Sequence, residues 1–357
     1  MKEESFRIPV SEITHGMVIA NDVISQDGMV LVMKNTVLDD IGIRKLHAFG
    51  IENVMIKPAA PKKPIKAKKV PKAVELPEFI NFESIYRQSA DELKSLVQEI
   101  SAGKQVDITK LYRLTDEIMH SLNLKSDVFT FVNYLNQAEG HVFPHCVNVS
   151  ILCNIFANWL KLNPKAVMEL SVAGLLHDIG MAQIPSEIIN KPSILTRREL
   201  SAIQEHPTTG YRAIMNQNLP NPVKSAVLLH HERADSSGYP HQAVEKEISP
   251  YAKIISICDM YDAMTNDRPH RSKISPFAAI RELETGMFGM LDTRYLLIFL
   301  QNIAYNYQGA WVLLSDGRPA EVMFIHRQSV SKPIVRTNEG EVIDLSTRPD
   351  LNIETLM

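Results

Sequence analysis

Five histidines and two aspartates, His145, His177, Asp178, His206, His230, His231 and Asp259, are the side chains of this 357-residue chain best suited to holding metal. His177 and Asp178 close the apolar segment AVMELSVAGLLHDIG, so both arise from a buried or half-buried stretch. A carboxylate there costs several kcal/mol unless it is paired or bound to a cation. His230 and His231 follow the apolar run SAVLL, and Asp259 sits within AKIISICDMYDAM. A lone core histidine usually hydrogen-bonds a carbonyl, which is explanation enough for His15, His47 and His120. An aspartate on an apolar helix is often a cap or an ion-pair partner. Seven such groups together point instead to metal. Mixed nitrogen and oxygen ligation suits iron, manganese or zinc rather than calcium or magnesium. The set exceeds the about four ligands of a structural zinc site and suffices for two ions bridged by one carboxylate.

Helices must position these groups. Successive helical residues point about 100° apart, so His177 can face one ion while Asp178 reaches between two. His230 and His231 converge only if neighbouring groups fix their tautomers. Val167, Leu170, Gly174 and His177 form one stripe at helical spacing. Asn163-Pro164, Ser249-Pro250 and Ser275-Pro276 each place a cap before a proline at the first helical position. Thr196 and Glu199 read as a capping box. Residues 80–306 are therefore expected to form a mainly α bundle, of the kind that builds metal sites from inward residues on facing helices.

The flanks differ in texture. Residues 1–57 read as a small α/β domain: strands in FRIPV, MVIANDVIS, MVLVM and IENVMI, a turn at QDG (26–28), and a helix over 36–50 ending on Gly50. Residues 58–79 read as a linker. The tract 57–77 holds five prolines and a charge balance of +6, which leaves −9 for the rest of a chain whose net charge is −3. Without interleaved aromatics the tract is a solvated spacer rather than a nucleic-acid or membrane tether. Residues 307–357 read as a short antiparallel β appendage with turns at SDGR and NEG.

Hydrophobic residues at 45% and charged ones at 22% exclude a disordered, collagenous or coiled-coil chain. Three cysteines, Cys146, Cys153 and Cys258, lack C-x-x-C pairing and fit a reducing compartment. MKEESFRIPV lacks the apolar core of a secretory signal, and no run is long enough for a membrane span. These features predict a cytoplasmic protein.

HDIG (177–180), IPSEIINKPSILTRREL (184–200), HPTTG (206–210), HHERADSSGYP (230–240) and DMYDAMTNDRPHR (259–271), with HVFPHCVNVS (141–150) ahead of them, make the chain resemble the HD-GYP family of HD-domain phosphohydrolases. The likeness spans roughly 140–300, with six separated motifs in order. Residues 1–57 are similar to a small N-terminal domain often found in this family.

The resemblance implies hydrolysis of cyclic di-GMP to pGpG and onward to GMP in bacterial second-messenger signalling. It implies a bimetal centre of iron or manganese on His145, His177, Asp178, His206, His230, His231 and Asp259, with Asp178 as bridge and His177 and Asp178 as catalytic residues. The expected attack is by a metal-bridged hydroxide, without a protein nucleophile. Arg268 and Arg271 match a basic motif near the substrate phosphates, a task suited to a guanidinium. Gly238, Tyr239 and Pro240 match the loop implicated in contacts with diguanylate-cyclase (GGDEF) proteins. A homodimer is a further expectation, whereas nucleic acid is not an expected partner. A third metal would need a glutamate where this chain has His141.

The chain departs from the pattern at a few places. Met181 stands where the family carries a phosphate-directed lysine, and a thioether has no charge and donates no hydrogen bond. Ala234 replaces an aromatic, Ser236 a glycine that matters if φ is positive, and His270 a common tyrosine. Two alternatives to an active phosphodiesterase therefore stay open: a weak or inactive cyclic di-GMP receptor or scaffold, and a hydrolase of another cyclic dinucleotide. Cys146 and Cys258 adjoin proposed ligands and read as core fillers rather than oxidation-sensitive groups.

Overall fold

The structure is a computed structural model that describes residues 5–10, 13, 17–25, 30–34, 36, 38, 43, 46–47, 49–57, 77–122, 142–191, 193–266 and 273–357. Contacts divide the chain into two compact units, Met1–Lys66 and Ala67–Met357. In the first, β1 (Phe6–Pro9) pairs antiparallel with β4 (Asn53–Ile56), and β2 (Val23–Ile24) with β3 (Val30–Val32). Ile19, Leu38, Leu46, Val54 and Ile56 form its core. Of the expected 36–50 helix, Ile43, Leu46 and His47 are helical, and Gly50 ends the stretch at φ +65°. The rest of that helix lies partly outside the described residues, as do His15, the 26–28 turn and positions 58–76 of the linker.

The second unit is mainly α. Its helices are α1 (Pro77–Ser101), α2 (Thr109–Ser121), α3 (Val142–Trp159), α4 (Pro164–Leu176), α5 (Ser186–Ile189), α6 (Arg197–Gln204), α7 (His206–Ile214), α8 (Asn221–Leu229), α9 (Pro250–Thr265), α10 (Pro276–Gly286) and α11 (Thr293–Tyr305). Helix α1 starts at Pro77, inside the stretch read as linker, because proline is tolerated in a first turn. The expected caps are present. The side chains of Asn163, Ser249 and Ser275 accept from the backbone N–H groups of Ala166, Ala252 and Ala278. Thr196 and Glu199 close a capping box in which Glu199 also accepts from Lys191 Nζ at 2.7 Å. Asp292, unread in the sequence, caps α11.

The antiparallel sheet has five strands in the order β8-β7-β6-β5-β9: β5 (Trp311–Leu314), β6 (Pro319–Phe324), β7 (Ile334–Thr337), β8 (Val342–Asp344) and β9 (Ile353–Leu356). Both predicted turns are there, with Gly317 and Gly340 at positive φ. The last strand, which pairs with β5, carried no turn signal in the sequence. The sheet is no loose appendage. Val312, Leu314, Ala320, Val322, Val335 and Ile343 belong to the same apolar core as the helices. Among the described residues, no helix is long and apolar enough to cross a membrane. Cys146, Cys153 and Cys258 are free and buried, and burial pushes the thiols of Cys146 and Cys258 up, away from the reactive thiolate.

Candidate metal centre

The expected ligands sit at helix ends and on inward helix faces. His145 lies on α3, His177 caps the C-terminus of α4, and Asp178 follows it. His206 opens α7, His230 caps α8 and precedes His231, and Asp259 lies on α9.

Three of the imidazoles are oriented by one local device. His177 Nδ1 donates to Gly174 O at 2.8 Å, His206 Nδ1 to Ile203 O at 2.7 Å, and His230 Nδ1 to Val227 O at 2.9 Å. Each acceptor is the carbonyl three residues back, at a helix end whose last carbonyls lack helical partners. A carbonyl can only accept, so Nδ1 carries the proton and Nε2 presents a bare lone pair. His145 reaches the same state by a long-range contact, its Nδ1 lying 2.6 Å from Asp262 Oδ2. Asp262 was missed in the sequence, although its place three residues after Asp259 puts both on one face of α9.

The lone pairs converge. Asp178 Oδ1 lies 3.1 Å from His206 Nε2 and 3.7 Å from His230 Nε2. Its Oδ2 lies 3.5 Å from His177 Nε2 and 3.8 Å from His145 Nε2. Asp259 Oδ1 is 3.1 Å from His145 Nε2, and Oδ2 is 3.9 Å from His231 Nδ1. Ligand atoms of Asp178, His206, His230 and His231 lie within 4.8 Å of one another, as do those of His145, His177 and Asp178. Asp178 is common to both sets.

This arrangement fits divalent metal. His206 Nε2 and His230 Nε2 face each other at 3.2 Å, two acceptors that repel unless a cation or proton lies between them. His177 Nε2 is buried without a hydrogen-bond partner, which is costly for a polar atom and ordinary for a ligand. Burial outweighs the pull of Asp178 and pushes His177 down to about 4, so its imidazole is neutral. Burial and His230 hold His231 well below the usual imidazole value. Burial opposes the charge on Asp178, but His177, His206 and His230 outweigh it and hold the carboxyl well below the usual range. Asp178 outweighs burial at His206 and pushes that imidazole up. Neutral His177 and His231 beside an ionised Asp178 are protonation states that metal ligation requires.

Backbone approach sets these distances. A Cβ on Gly180 would clash with His206 O, and one on Gly238 would meet the backbone of His231, Glu232 and Arg233. The Gly238-Tyr239-Pro240 loop thus packs directly on the His230-His231 turn, where Tyr239 stacks on His231 at 4.6 Å between ring centroids. Buried Glu232 accepts the backbone N–H groups of His241 at 2.7 Å and Ala243 at 2.9 Å and so ties down the end of the loop. Met181 is half-buried in the turn after Gly180. His141, Arg268, His270 and Arg271 lie outside the described residues.

Ser236 adopts φ +62°, the left-handed region in which a side chain is strained by about 1–2 kcal/mol. Its side-chain bond, to Ala243 O, is long at 3.3 Å. Ser236→Gly is expected to raise stability by about 0.5–1 kcal/mol, less than the strain because glycine also loosens the unfolded chain. Chemical denaturation would measure this, and a lower midpoint would contradict it.

Residues 129–292 match the family model described as HD domain. The cyclic di-GMP phosphodiesterase PA4108 of Pseudomonas aeruginosa is 32% identical over 243 residues, which cover 68% of this chain and 58% of that protein. The 3'3'-cGAMP-specific phosphodiesterase 1 of Vibrio cholerae is 30% identical over 186 residues, covering 52% of this chain and 43% of that protein. The chain thus spans little more than half the length of the first and less of the second. Among solved structures, Bd1817, a HDG"Y"P protein from Bdellovibrio bacteriovorus, aligns with a TM-score of 0.51 at 15% identity, covering 84% of this chain and 99% of that one. That likeness is one of fold.

Proposed function

We propose, from the HD domain that residues 129–292 carry and the ligand set within it, that this chain is a metal-dependent phosphodiesterase that hydrolyses cyclic di-GMP to pGpG and onward to GMP. The observation that carries the reading is Asp178, whose two oxygens face separate histidine sets. His177 and His145 with Asp178 would hold one ion, and His206, His230 and His231 with Asp178 the other; Asp259 borders both through His145 and His231. When bound, a metal pair lowers the pKa of water and neutralises charge on a phosphodiester. The protein's own part is to hold four imidazoles in the Nδ1-protonated form, keep Asp178 ionised, and stack Tyr239 behind His231. The mixed nitrogen and oxygen donor set suits transition ions, which the family resemblance implies to be iron or manganese, and His141 in place of an acid favours two ions over three.

The same reading extends to partners. The Gly238–Pro240 loop, seated against the site, would be the surface for diguanylate-cyclase proteins, and a homodimer is compatible with it. Three unpaired cysteines accord with the cytoplasm.

Protein reconstituted anaerobically with Fe(II) or Mn(II) and incubated with cyclic di-GMP should yield pGpG and GMP. Tight binding without product would instead support the receptor reading, which Met181 favours because it places no cation at the phosphate. Preferential cleavage of a mixed cyclic dinucleotide would support the third reading, for which the likeness to a 3'3'-cGAMP-specific enzyme speaks. Met181→Lys is expected to raise turnover about tenfold or more, since one preorganised electrostatic contact commonly contributes on the order of 10²–10³. An unchanged rate in a folded variant would remove that role.

A further inference from the structure

Arg233 plays no part in the ligand set, yet it lies where two ligand-bearing elements meet. Its Nη1 donates to His230 O at 3.3 Å, to Glu232 O at 3.0 Å and to Ser256 Oγ at 2.6 Å. Ser256 is on α9, three residues before Asp259 and therefore on the same face. One guanidinium nitrogen thus joins the turn that carries His230 and His231 to the helix that carries Asp259.

We propose that Arg233 is a positioning residue for the metal centre. Through Nη1, which bonds both elements, it holds the separation of His231 and Asp259, whose facing atoms stand 3.9 Å apart. That separation is within reach of one ion with ligand bonds of about 2.0–2.2 Å. A lysine can donate from its ammonium but without the rigid guanidinium plane, and a methionine has no donor. Together with Glu232, which secures the Gly238–Pro240 loop, Arg233 makes His230–Arg233 a four-residue unit of two ligands and two anchors.

The inference rests on the metal-centre reading, and Mn(II) titration of the full chain tests both. Wild type is expected to take up two equivalents. Arg233→Met is expected to keep its helical circular dichroism but bind at least one equivalent about 10–100-fold more weakly, as when a group supporting a ligand is lost. Arg233→Lys should recover part of that affinity. Ser256→Ala, which removes one bond and no charge, should weaken binding several-fold and serves if Arg233→Met fails to fold. Wild-type affinity and stoichiometry in Arg233→Met, or in Ser256→Ala where Arg233→Met does not fold, would overturn the inference and leave the metal centre standing. A wild-type chain that takes up no Mn(II) would overturn both.

Discussion

Replacing Asp178 with alanine is expected to lower phosphodiester turnover by on the order of 10⁴ or more and to leave the protein unable to hold two ions together. Asp178 is the one acid shared by both ligand groups found among the described residues, with Oδ1 directed at His206 and His230 and Oδ2 at His177 and His145. Each factor of ten in rate corresponds to about 1.4 kcal/mol, so a loss of 10⁴ needs about 5.5 kcal/mol. That is within the several kcal/mol that charge stabilisation by bound metal supplies to a transition state. Asp178→Asn keeps the volume and removes the charge, and should lose about as much. Initial rates with Mn(II)-loaded protein, set beside metal content per chain, are the decisive measurements. Wild-type turnover in either variant would remove the bridging role and the mechanism built on it.

Among the described glycines, Gly180 is where an added methyl group is expected to do the most damage. The added Cβ would clash with His206 O and lie 2.7 Å from Gly210 N and 2.9 Å from His206 C. Those are backbone atoms at the start of α7, so no rotamer change can make room. Overpacking commonly costs about 1–3 kcal/mol where side chains can shift, and a backbone clash lies at or beyond the upper end of that range. At roughly 2–4 °C per kcal/mol for a domain of this size, the melting temperature should fall by about 6 °C or more. Since the same approach holds Asp178 Oδ1 3.1 Å from His206 Nε2, metal affinity should fall with it. Gly286→Ala, where nothing lies within 4 Å of the added carbon, is the matched control and should be tolerated. A Gly180→Ala protein that melts with wild type and binds metal normally would contradict this account of HDIG and HPTTG.

The two glycines also explain why the motifs read as they do. In the sequence, Gly180 and Gly210 are only letters near proposed ligands. In the fold they are the points where the turn after α4 passes the first turns of α7, and a Cβ on Gly210 would itself come within 3.0–3.2 Å of Ile179, Gly180 and Val227. Ser236 shows the converse case. Its substitution for glycine was visible, but its cost depended on a φ of +62° that no spacing discloses.

What could be read without coordinates was local or chemical. Helix starts at Asn163, Thr196, Ser249 and Ser275 were legible because a cap acts on N–H groups two or three residues away. The metal-binding residue types were legible because imidazoles and carboxylates at the ends or within apolar segments are too costly to be incidental. Tertiary structure alone decided which of them meet. His145 and Asp262 are 117 positions apart, and Arg233 and Ser256 are 23. Helical periodicity relates residues a few positions apart on one face, whereas these contacts depend on how whole helices cross. The fifth strand, Ile353–Leu356, was hidden for the same reason: its partner, β5, lies about forty residues earlier, and pairing over that distance leaves no local mark.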